Sequence, residues 1–171
     1  MPIVGSDLAY RLSGGASNTD AAASLGGAMS TVGGGLITGA LNDLFDDISG
    51  DESAAGDTEY RCMYVQMNNA TLTWTAIKAW LTAESASAGS EYAVGLDPAG
   101  VNGTATTIAD EETAPAGVTF SRPLDKASGL SIADMAPSSF AAIWVRRVIT
   151  AGAAAANSDG PTLRVEGDTG A

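Results

Sequence analysis

Carboxylates are the groups in this chain best placed to do chemistry. Seven lie between residues 43 and 59: Asp43, Asp46, Asp47, Asp51, Glu52, Asp57 and Glu59. Three more are consecutive, Asp110-Glu111-Glu112. The first group offers oxygen ligands to a hard cation such as Ca²⁺. Its spacing fails the EF-hand template, which needs ligands at alternate positions, a central Gly and a closing Glu. A solvated acidic loop is therefore expected there. The second group suggests the paired carboxylates of glycoside hydrolysis, which need a groove lined with aromatics and one carboxyl in an apolar setting. The flanks Ile108-Ala109 and Thr113-Ala114-Pro115 supply neither. The sequence therefore assigns no catalytic residue, no cofactor-binding residue and no metal ligand.

Other chemistries are closed off by composition. The chain contains no histidine, so a Ser-His or Cys-His nucleophile pair and an imidazole acid or base are excluded. The one cysteine, Cys62, cannot close a disulfide within the chain or build a zinc site. It stands mid-strand between Tyr60 and Tyr64 and reads as a small buried apolar residue. Gly14-Gly15 and Gly33-Gly34-Gly35 lack the Lys of a phosphate loop. Trp74, Trp80 and Trp144 fall inside strand patterns, which favours packing over a sugar platform. In Arg146-Arg147, successive strand residues face opposite ways, so only one of the pair can share a given surface. The other is expected to meet a carboxylate or a partner.

Acidic residues outnumber basic ones 20 to 8, a net charge of −12. Such a surface repels phosphate and anionic lipid, so no direct nucleic-acid partner and no membrane partner is expected. It suits solubility, or complementarity to a basic partner surface. The start of the chain lacks the basic and apolar regions of a signal peptide, and no apolar run approaches a bilayer span. Production without export is expected, and the free thiol fits assembly in a reducing cytoplasm.

The elements that would position these groups are short strands. Residues 7–12 alternate weakly and suit an edge strand. Residues 13–40, rich in Gly and Ala, read as an extended N-terminal arm that orders on a partner, or as an irregular loop packed on its own domain. Leu41, Leu44, Phe45 and Ile48 fit either one helical turn or a loop that anchors Phe45 in the core. An acidic turn follows over residues 49–58. In residues 60–67, Tyr60, Cys62 and Tyr64 share one face, and Arg61, Met63, Val65 and Met67 share the other. Neither face is purely polar, so this strand is expected to be buried on both sides or to lie at an interface.

Asn68-Asn69 signals a turn, and residues 70–81 are expected to return as a hairpin. There Leu72, Trp74, Ala76 and Trp80 would share a face, with a bulge or exposed end at Lys78. Further strands are expected over 91–96, 104–109, 118–120, 140–150 and 162–166. Asp97-Pro98-Ala99-Gly100 reads as a turn, residues 130–135 are ambiguous, and 151–157 form a small-residue loop. About eight short strands punctuated by turns predict an all-β, antiparallel sandwich or barrel forming one domain, with the sandwich favoured, 1–40 as arm or loop region and 41–171 as core.

Two stretches resemble small virion structural proteins of tailed bacteriophages. One is Asn42-Asp43-Leu44-Phe45-Asp46 running on through Gly56-Asp57-Thr58-Glu59-Tyr60-Arg61-Cys62-Met63-Tyr64-Val65. The other is Ala142-Ile143-Trp144-Val145-Arg146-Arg147 followed by Leu163-Arg164-Val165-Glu166-Gly167-Asp168. Together they span less than a third of the chain. The resemblance implies a capsid cement or decoration protein with a jelly-roll-like sandwich and no catalytic residues. It also implies a major capsid protein as partner, self-association as a dimer or trimer on the shell, and a place on the capsid exterior after assembly in the host cytoplasm. Two other readings are a tail, neck or fibre-associated β-protein and a carbohydrate- or receptor-binding sandwich. A carboxylate-only hydrolase ranks last.

Overall fold

The computed structural model describes residues 2–83, 89–154 and 160–170. Eight strands form two antiparallel sheets. They are β1 (Leu8–Leu12), β2 (Leu36–Ile37), β3 (Asp57–Met67), β4 (Trp74–Ala83), β5 (Ser90–Val101), β6 (Leu130–Ile132), β7 (Phe140–Ile149) and β8 (Thr162–Thr169), with one short helix, α1 (Gly50–Ala55). The larger sheet runs β2-β1-β3-β7-β5 and the smaller β6-β4-β8. The all-β sandwich is as the sequence predicts.

Alternation along β3 and β7 builds the core between the sheets. Met63, Val65 and Met67 of β3 join Ala141, Ile143 and Val145 of β7 and Tyr92 and Val94 of β5. The second sheet meets them with Trp74, Ile77, Ala79, Leu81, Ile132 and Val165. The opposite face of the large sheet is buried too. Cys62, Tyr64, Ala142 and Trp144 pack there against Ala105 and Ile108, with Leu25, Met29, Val118 and Phe120 around them. β3 is thus covered on both sides, as its two apolar faces require.

The cover on that second face corrects the extended-arm expectation. Residues 13–30 fold back onto β3. The Cys62 N–H donates to the Ser24 carbonyl at 2.8 Å, and the Ser13 N–H donates to the Cys62 carbonyl. The Tyr64 hydroxyl donates to the Gly27 carbonyl at 2.6 Å and accepts from the Ala105 N–H at 2.8 Å. Small residues make this approach feasible. Gly26 has φ +87°, and a Cβ there would run into the Thr106 carbonyl.

Other expectations are also revised. β3 and β4 lie in different sheets and form no hairpin. The chain crosses between sheets over residues 68–73, where the Asn69 side chain accepts from the Thr71 and Leu72 N–H groups. In β4, Ala76 takes φ 49° at a register shift between Thr75 and Lys78. This bulge, foreseen near Lys78, slips the alternation by one residue. Trp74 and Ile77 therefore face the core, and Trp80 turns to the other face, against Arg164.

β1 is flanked by β2 and so is not an edge strand. Residues 104–109 and 118–120 are loops, tied to their neighbours by the isolated bridges Gly27–Ala105 and Val94–Ser121. The 97–100 turn bulges out of β5, and the ladder resumes at Val101–Ala141. Residues 41–48 are irregular, and the helix comes instead at 50–55. Its start is set by a capping box in which the Ser49 and Glu52 side chains bond each other's backbone N–H. Of the 151–157 loop, residues 155–157 lie outside the described residues.

If the 13–30 segment is as integral as these bonds indicate, Gly26→Ala should cost about 2–4 kcal/mol in chemical denaturation, from left-handed strain plus the clash. A free arm would tolerate the change with no loss.

Candidate functional site

Three charged side chains lie inside the sandwich at one end of β3 and β7. Glu59 and Arg61 are 1% exposed and Arg147 is 4% exposed. Their placement follows from register. Glu59 and Arg61 share the core face of β3, and Glu59 is the direct cross-strand partner of Arg147 on β7. The Arg147 Nε donates to the Glu59 Oε2. The Arg147 Nη1 donates to the Asp46 carbonyl at 2.8 Å, and its Nη2 lies 3.4 Å from the Asp46 carboxylate. The Arg61 Nη2 bonds the Glu111 Oε2. Phe45 roofs the cluster, its ring centre 4.7 Å from the Arg147 guanidinium and 5.7 Å from that of Arg61. Its edge meets Tyr92, with centroids 6.0 Å apart. Phe45 is thus the anchor that one sequence reading gave it.

Two polar atoms in this cluster are buried without a partner, Glu59 Oε1 and Arg61 Nε. Burial pushes the Glu59 carboxyl above the usual range. The Arg147 guanidinium opposes that shift, and the nearby Glu111 and Glu52 carboxylates add to it. The Arg147 pKa is raised: burial opposes its charge, and the bond and charge of Glu59 outweigh burial.

Of the seven carboxylates in the 43–59 stretch, the fold gathers Asp46, Glu52, Asp57 and Glu59 and adds Glu111 from the second acidic group. Oxygens of Asp46, Glu59 and Glu111 lie within 4.8 Å of one another, as do those of Glu52, Asp57 and Glu59. Asp47 and Asp51 stay exposed outside both trios. Asp43 instead braces a turn, accepting from the Thr38 N–H and hydroxyl and the Ala40 N–H. Slight burial opposes its ionisation, but these bonds together hold its carboxyl below the usual range. Asp110 bonds the Thr113 hydroxyl.

The remaining candidates are internal. Cys62 is fully buried, and that burial drives its thiol pKa far upward, which leaves it un-ionised and inert. Tyr64 is pushed up to about 12, chiefly by burial. All three tryptophans are buried, and the Trp144 indole N–H donates to the Asp97 carboxylate at 2.9 Å. Arg146 faces the other way from Arg147, over Phe120 and 3.7 Å from Glu91. Sequence reasoning missed the Glu59–Arg147–Arg61 cluster. The available signal was charge at core-facing positions of both strands, which demands internal partners.

No protein-family model, curated protein or solved structure matches the chain.

The cluster makes a stability prediction. Arg147→Met strands Glu59 as a buried charge and should cost about 3–5 kcal/mol. Adding Glu59→Gln should recover a measurable part of that loss. A double variant whose loss equals the sum of the two single losses would show that the two residues are uncoupled.

Proposed function

We propose that this chain is a structural protein of a tailed-phage virion, bound to the outside of the capsid across joints between major capsid protein subunits. The observation that best supports this reading is where the exposed apolar side chains sit. Among the described residues, Val32, Leu36, Leu41 and Ile48 are four of the six large exposed hydrophobics, and all belong to residues 32–48. Leu36 is in β2, the two-residue edge strand of the large sheet. Beside it is a depression of about 250 Å³ whose lining includes Leu12, Leu36, Asp20, Asp43 and Asp46. A partner that offers apolar side chains flanked by basic ones fits such a surface. Backbone pairing at the β2 edge would extend the contact.

Charge supports the same kind of partner. The buried charged residues among those described are Glu59, Asp97, Arg61 and Arg147, which balance. The net negative charge of the described residues is therefore carried outside the core. Many weak contacts per copy, repeated over a lattice, give firm retention by avidity. The jelly-roll kinship and self-association as a dimer or trimer belong to this same proposal. The sugar-binding alternative is weakened because no tryptophan is available at the surface.

Quantitative mass spectrometry of purified particles, against the most abundant shell protein, tests the assignment. A simple fraction of that protein, on the order of hundreds of copies, is expected. A few dozen copies would move the chain to the tail or neck, and absence from particles would sink the virion reading. Leu36→Asp combined with Leu41→Asp should lower retention on shells at least about tenfold by lost avidity. Stability should change by no more than about 0.5 kcal/mol per site, because both side chains are exposed.

A further inference from the structure

We propose that Glu52, Asp57 and Glu59 bind a hard divalent cation of the Ca²⁺ type. The three come from α1 and the start of β3, and their carboxylate oxygens lie within 4.8 Å of one another. The second, independent observation is Glu59 Oε1. Glu59 is 1% exposed, its Oε2 is taken by Arg147, and its Oε1 is enclosed with no hydrogen-bond partner. A buried carboxylate oxygen left unpaired costs free energy that a bound cation would offset.

The other two ligands retain free oxygens. Glu52 Oε2 accepts from the Ser49 N–H at 2.6 Å, a capping bond that fixes the side chain and leaves Oε1. Asp57 Oδ1 accepts from the Thr58 N–H at 2.6 Å and leaves Oδ2. Both residues are half-buried, so an ion can enter from solvent and keep several waters.

Charge chooses between the two trios that share Glu59. In Asp46, Glu59 and Glu111, every carboxylate already faces a guanidinium, Arg147 for the first two and Arg61 for the third. Two guanidinium groups thus offset two of that trio's three negative charges, whereas Arg147 alone offsets one of the other trio's. Among the described residues, no Lys or Arg forms an ion pair with Glu52 or Asp57, so the trio they make with Glu59 keeps a negative excess. An all-oxygen site of irregular geometry completed by water suits Ca²⁺ better than Mg²⁺, which demands near-octahedral ligation. A half-open site with three carboxylates belongs in the weak range, a Kd of about 0.1–1 mM.

The experiment uses the full chain, with calorimetric titration of CaCl₂ and thermal melting in EDTA or in CaCl₂. Wild type should melt about 3–10 °C higher at ~10 mM CaCl₂. Glu52→Gln with Asp57→Asn should weaken binding at least about tenfold and remove the rise, while melting in EDTA stays near wild type. Glu52→Gln alone serves if the double variant fails to fold, because Gln preserves the capping bond. It too should weaken binding. No heat and no rise in wild type, or an equal rise in wild type and variant, would overturn the proposal.

Discussion

The structure depends on one constraint: the central strands β3 and β7 carry apolar residues on both faces, so the large sheet must be covered twice. The three-stranded sheet covers one side. It has no counterpart on the other, where Tyr64 and Trp144 would stand in water. Burying an aromatic of that size is worth roughly 4–6 kcal/mol by area. The chain obtains that burial with irregular segments whose small residues can approach the sheet closely. At Gly95 in β5, a Cβ would meet the Val118 side chain and the Thr119 carbonyl. The low share of large apolar residues and the abundance of glycine thus have one explanation. Much of the second layer is backbone, held by hydrogen bonds that Tyr64 and Asp97 help to organise.

The same double coverage explains the buried charges. At the far end of β3 the core face passes from Met63 to Arg61 and Glu59, and the sandwich closes over them. Two arginines and a glutamate cannot be enclosed without partners at tolerable cost. The cross-strand register supplies one pair, Glu59 with Arg147. The loops supply the rest, with Glu111 on Arg61, Asp46 on Arg147, and Phe45 as an apolar roof over both guanidinium groups. Residues 38–48 are therefore shaped from two sides. Phe45 must reach inward, and the Asp43 turn fixes the chain on its approach. The consequence is an outer surface on which Leu41 and Ile48 have no interior to enter.

What the sequence disclosed divides along the same line. Period-two patterns were readable in β3, β7 and β8 because their alternation is unbroken. β4 carried an equally strong pattern, but Ala76 bulges, and one inserted residue exchanges the faces of everything beyond it. The turn at Asn68-Asn69 was real, yet a turn signal does not say whether the next strand joins the same sheet. Asn69 caps a crossover instead. The Ser49–Glu52 capping box was present in the sequence and was passed over as an acidic turn. The site was legible only as separate carboxylates. Its convergence joins residues about fifty and ninety positions apart, and only β3–β7 register and the return of the 105–111 loop bring them together.

The division between interior and exterior bears on what kind of function this body can carry. Histidine is absent from the composition, and the one thiol is held inside. Cys62 is sealed in the second layer, and Tyr64 serves as a clasp between two loops and a strand. The exterior combines a strong negative charge with apolar side chains concentrated in residues 32–48. Such a surface suits recognition by area and charge. For a charged interface of this kind, attraction to a basic partner weakens as salt rises, while the apolar contacts do not. In the proposed virion role, retention on a repeating lattice would then rest on the apolar residues of 32–48, with the acidic surface speeding and orienting the approach.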